Sequence, residues 1–137
     1  MKKEYNDYAQ KVAVIGAQMN KTSEKFGNLS IAKIKTIEDI SKLKDGYVGG
    51  LKEFQSLYVK LNSINPPKLI ENEHSEMVKS FKNYVLATEK MINSIDVENV
   101  KVNTDEYQSG IELQNKSSRE IVGITQVIGD KISKAPN

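Results

Sequence analysis

Apolar residues in this chain recur at spacings of three and four and almost nowhere at spacing two. That is the period of one helix face; a half-buried strand would alternate with period two. The first seam reads Tyr5, Tyr8, Val12, Ile15, Met19, Thr22 and Phe26, and Gly27 is placed to end the helix in a left-handed conformation. The second runs Ile37, Ile40, Leu43 or Lys44, Tyr47, Leu51, Phe54, Tyr58 and Leu61, opened by Thr36 with Asp39 at capping-box spacing. The third runs Ile70, His74, Met77, Phe81, Tyr84, Thr88, Met91 and Ile95, widened by Val78, Val85 and Ile92. The fourth takes Tyr107, Ile111, Leu113, Ile121, Ile124, Val127, Ile128 and Ile132, after Asn103 or Thr104 as N-cap, with Pro136 barring continuation.

Short connections make consecutive helices neighbours. The pattern therefore predicts an all-α, four-helix, up-down-up-down antiparallel bundle, one domain over residues 4–134. Its helices fall at about 4–26, 36–63, 67–95 and 104–133. Leu29, Ile31 and Ile34 in the first connector are expected to fold over the bundle end. Gly46, Gly49 and Gly50 interrupt the second helix, each costing about 1 kcal/mol relative to alanine, so a kink is expected at Gly46–Gly50. Pro67 is expected near the first position of the third helix, where its missing N–H costs little. "DVENVKVN" is read as a turn, and "QNKSSRE" in the fourth helix as a solvated face, although Gln114 and Ser118 fall at seam positions.

Composition narrows function mainly by exclusion. The chain has no cysteine, which removes disulfides, thiolate metal sites and thiol catalysis. Net charge is +2 and Arg119 is the sole arginine, a poor footprint for nucleic acid, so no nucleic-acid partner is expected. No apolar run approaches the roughly 18 residues of a membrane span. Met1-Lys2-Lys3-Glu4 leads straight into a helix with no signal-peptide pattern.

The only histidine lies in "NSINPPKLIENEHSEM", Asn62 to Met77. On its seam His74 should point inward and act as a core residue, neutral and hydrogen-bonded to a neighbouring helix. Its layer should hold Tyr8 or Val12, Gln55 or Tyr58, and Thr125. His74, Tyr8, Tyr58, Gln55 and Thr125 are also the candidate lining of a ligand pocket. Glu71 and His74 have the Glu-x-x-His spacing of carboxylate-bridged metal bundles, but that chemistry needs two such motifs and the chain has one histidine. Haem between His74 and Met19 or Met77 is conceivable, yet core packing accounts for the same residues. There is no Gly-x-Ser-x-Gly elbow, and the glycine run lacks the Gly-Lys-Ser/Thr ending of a phosphate loop. No catalytic, cofactor-binding or metal-ligating residue is assigned, and no cofactor is expected.

"NPPKLIENEHSEMVKSFKNYV", with the lead-in "LNSINPP" and Phe81, Tyr84 and Ala87 in the helix that follows, resembles the small extracytoplasmic domains of Gram-positive bacterial lipoproteins. The likeness is specific over Leu61–Ala87. It implies display outside the cell membrane through a lipid-bearing cysteine and signal sequence upstream of Lys2, Met1 being an added start. The combined expectation is a non-enzymatic bundle that binds a protein or envelope component. The alternatives are a ligand- or metal-binding bundle with its pocket near His74, Tyr8 and Tyr58, and a cytosolic adaptor.

Overall fold

Two helices begin at caps that are written into the sequence. In the computed structural model, which describes residues 2–136, Thr36 Oγ1 accepts from the Asp39 N–H while the Asp39 carboxylate accepts from the Thr36 N–H. Helix α2 (Ile37–Asn62) follows. Asn103 Oδ1 accepts from the Glu106 N–H at the start of α4 (Thr104–Ser133). With α1 (Lys3–Gly27) and α3 (Glu71–Asn93) they complete a chain that is 82% helical. Helix α2 stays helical through Gly46–Gly50, so the glycines do not divide it, and α1 is bent. The first connector behaves as expected: Leu29, Ile31 and Ile34 are half-buried against the core.

Three local expectations fail for identifiable reasons. Gly27 is the last helical residue and no described glycine has a positive φ; α1 instead closes with the Asn28 N–H shared between the Lys25 and Phe26 carbonyls. Pro67 is extended (φ −57°, ψ 146°) and caps a single 3-10 turn, Lys68–Ile70, so α3 begins only at Glu71. The third helix also stops short of Ile95. Residues 95–102 form a minute antiparallel hairpin, β1 (Ile95–Asp96) and β2 (Lys101–Val102), with Ile95 opposite Val102. Asp96 closes its turn by accepting from the Asn99 N–H and side-chain amide. Val100 there has φ 52°, a left-handed conformation uncommon for a β-branched residue.

Contacts run in opposite order along each consecutive pair of helices, as an up-down-up-down arrangement requires. Phe26 meets Tyr47 and Thr22 meets Glu53 between α1 and α2. Phe54 meets Tyr84 between α2 and α3, and the Lys44 ammonium donates to the carbonyl of Ile95, just past the end of α3. Ser80 reaches Glu120, and Gln114 reaches Thr88, between α3 and α4. The centre of the core is aromatic: Tyr47, Phe26, Phe54 and Tyr84 follow one another with ring centroids 4.5, 5.9 and 4.9 Å apart. Tyr47 and Tyr107 join hydroxyls beside it, and burial with that bond raises the Tyr47 pKa strongly.

The polar "QNKSSRE" stretch is not a solvated face throughout. Gln114 and Ser117 are buried against α3, while Ser118 is half-buried. Gln114 donates to Thr88 Oγ1 at 2.9 Å, and Thr88 donates on to the Tyr84 carbonyl at 2.9 Å. A polar seam is tolerated here because the Gln114 amide and the Thr88 hydroxyl both find partners.

Candidate functional site

Helices α3 and α4 pack closely along most of their length, whereas α1 and α4 stand apart. A cleft of about 330 Å³ fills the gap. One wall is the face of α1 carrying Ala9, Val12, Ala13 and Gly16; the opposite wall is Ile121, Thr125, Ile128, Gly129 and Ile132 of α4. Leu61, Met77 and Phe81 form the floor, and Tyr8 and Met19 lie at opposite ends along α1. The walls are shallow because small residues line them. A Cβ on Gly16 or Gly129 would meet nothing within 4 Å.

None of the lining residues is charged. The polar atoms at the cleft are already engaged. Thr125 Oγ1 donates to the Ile121 carbonyl at 2.8 Å, and Tyr8 bonds through its hydroxyl to His74 Nδ1 at 2.7 Å. Burial pushes the Tyr8 phenol up to about 12, so it is neutral at physiological pH. The cleft can therefore remove an apolar molecule from water, and its two hydroxyls are each held in a hydrogen bond within the protein.

His74 sits behind this end of the cleft, 5% exposed, its ring edge-on to Tyr8 with centroids 5.5 Å apart. Burial lowers its pKa from 6.5, favouring the neutral ring. The Leu61 carbonyl acts in the opposite sense; it is near enough to favour the charged ring but is not placed to hydrogen-bond Nε2, which has no partner. On its far side the ring contributes to a separate polar recess with Asn62, Asn65, Glu71 and Ser75. No three metal-ligating side chains converge among the described residues.

Of the five candidate pocket residues, the structure brings three together. Tyr8 and Thr125 line the cleft and His74 is bonded to Tyr8. Gln55 does not join them: it is exposed and its side-chain amide reaches Glu89 at 3.4 Å. Tyr58 is half-buried and does not line the cleft. The wall residues Ala9, Ala13, Gly16 and Gly129 went unrecognised from sequence. Their only signal is small size on one side of an apolar seam.

Comparison with known proteins finds no matching family, no similar characterised protein and no similar solved structure.

Proposed function

We propose that this protein is a non-enzymatic binding bundle that takes an apolar small molecule into the cleft between α1 and α4. The observation that carries the reading is the cleft itself, about 330 Å³ and free of charged lining. That volume lies at the lower end of the range for small-molecule pockets, about 300–1,000 Å³. A bundle that also had to transform its ligand would present polar groups converging on it, and the polar atoms at this cleft are bonded elsewhere. Display at the cell envelope, implied by the resemblance over Leu61–Ala87, forms part of the same proposal, and an apolar ligand is in keeping with an envelope component.

Isothermal titration of the wild type and Gly129→Leu with a panel of apolar molecules, linear and cyclic, tests the reading. Binding to the wild type with a negative heat-capacity change is expected, because apolar surface leaves water. The leucine should fill the cleft from the α4 side and abolish the heat signal. Binding by none of the panel, or binding equally strong in Gly129→Leu, rejects the proposal.

A further inference from the structure

Helix α1 is held to the rest of the bundle unevenly. Toward its C-terminal end, Thr22 donates to Glu53 of α2 at 2.7 Å, Ser23 bonds to the Tyr84 hydroxyl at 3.0 Å, and Phe26 packs on Tyr47. Toward its N-terminal end, α1 forms one wall of the cleft and stands apart from α4. There, among the described residues, its one side-chain hydrogen bond to another helix is Tyr8–His74. Neither ion pair among the described residues reaches α1. That half of the helix is kept down by burial of Tyr5, Tyr8 and Ile15 and by a bond to the chain's only histidine.

The groups around that histidine decide what a proton does there. From α1 the ring faces the Tyr8 hydroxyl, and from the end of α2 the Leu61 carbonyl. Glu71 of α3 shares with it the recess on its far side. The Glu73 carboxylate, next along α3, is taken by Lys131 of α4 at 3.0 Å. In the closed arrangement the neutral ring has one hydrogen bond, to Tyr8, whichever nitrogen carries the hydrogen. A second proton places a charge on a ring 5% exposed and gains no hydrogen bond. It either lands on Nε2, which has no partner, or displaces the hydrogen that Tyr8 donates to Nδ1. The nearby Leu61 carbonyl offsets part of this cost. With the N-terminal part of α1 lifted, water reaches the ring and solvates the charge.

We infer that the Tyr8–His74 bond is an acid-operated latch: when His74 takes up a proton, the N-terminal part of α1 lifts off α3 and the cleft opens. Lifting returns His74 to its ordinary pKa of about 6.5, above that of the buried ring. Above about pH 6.5 the latch therefore holds in full. As pH falls towards the folded value, the lifted state takes up the proton first, and its population gains at most about tenfold per pH unit. The latch acts on the wall of the cleft and is independent of what the cleft holds.

Amide hydrogen exchange tests the latch in the wild type and in His74→Gln, followed by NMR from pH 7.5 to 5 and corrected for the intrinsic pH dependence of exchange. Glutamine keeps an acceptor for the Tyr8 hydroxyl and does not titrate. In the wild type, amides over residues 5–15 should be less protected than those at the centres of α3 and α4. Their protection should fall about fivefold or more between pH 7.5 and 5, and in His74→Gln by less than about twofold. Protection over residues 5–15 that is flat with pH in the wild type, or that falls equally in His74→Gln, overturns the inference. So does protection there equal to that of α3 and α4, which would mean that the molecule opens only as a whole. Should His74→Gln fail to fold, the wild type decides, because its single histidine gives a single ring C2–H resonance. A midpoint below about 6.5 in the folded protein, together with the pH-dependent exchange, supports the latch; a midpoint at or above that value overturns it.

Discussion

The seam between α3 and α4 and the seam between α1 and α4 are both built with small residues, and only one of them closes. At the first, Gly110 lies so near α3 that a Cβ there would stand 3.0 Å from the Ala87 carbonyl oxygen and the Met91 nitrogen, and 2.6 Å from Met91 Cγ. At the second, Gly16 and Gly129 meet nothing. Small residues permit close approach but do not cause it. What draws α3 and α4 together is the hydrogen-bond relay from Gln114 through Thr88 to Tyr84, and the short hairpin that sets α4 down beside α3. Helices α1 and α4 lie at opposite ends of the chain and share no such relay. Their gap is left as a trough.

The contrast can be broken at several points. The largest effect is expected for Gly110→Ala: the methyl group meets backbone on α3, which cannot rotate aside, and the loss should be about 3 kcal/mol by chemical denaturation. A neutral result would mean that the closed seam has slack. Next comes His74→Ala, which leaves a cavity and strips Tyr8 of its partner on α3, for a loss of about 2 kcal/mol. His74 also fixes a pH dependence. Its folded-state pKa lies below the unfolded value of about 6.5, so its contribution is intact above that pH. As pH falls towards the folded pKa, the unfolded chain takes up the proton first and stability declines. Urea denaturation across pH 8 to 4 should show this slope in the wild type and a shallower one in His74→Ala; identical slopes would rule out His74 as its source.

Smaller again is Thr88→Val, which keeps the shape and removes the relay, at a cost of about 1–2 kcal/mol. Adding Gln114→Leu should recover part of that loss, since neither buried polar group is then left without its partner. The smallest effect has the opposite sign. Gly16→Ala should stabilise by about 0.4–1 kcal/mol, because the methyl enters open space and the unfolded chain loses freedom. A loss there would mean that α1 and α4 approach each other in solution.

The apolar period was enough to place every helix and to turn His74 inward, because burial of one face is what a helix in a bundle must achieve. Where residue type and period disagree, the sequence misleads. Gln114 falls on the seam yet reads, like Ser117, as a surface residue by its polarity, and its burial depends on Thr88 and on the close approach of α3, facts that belong to the pair of helices. Gln55 and Tyr58 were assigned to the His74 layer by counting heptads, which fixes a face but not the rotation of that face toward a particular partner. The trough escaped notice for a different reason. It is made where side chains are missing, and an alanine or glycine beside a seam carries no apolar signal of its own. Glycine in α2 shows the same limit from the other side: Gly49 faces open space while a Cβ on Gly50 would lie 2.7 Å from the Phe26 ring.

The stand-off of α1 has a consequence for the order in which the molecule opens. Helix α1 is bent, keeps its distance from α4, and is tied across the bundle by polar bonds such as Tyr8–His74 and Ser23–Tyr84. Helices α3 and α4 are locked side by side. Amide hydrogens along α1 should therefore exchange through a partial opening in which that helix lifts away, while those of α3 and α4 wait for the whole molecule to unfold. The wall of the trough is thus also the part of the protein that leaves first, and anything lodged against it would slow that departure.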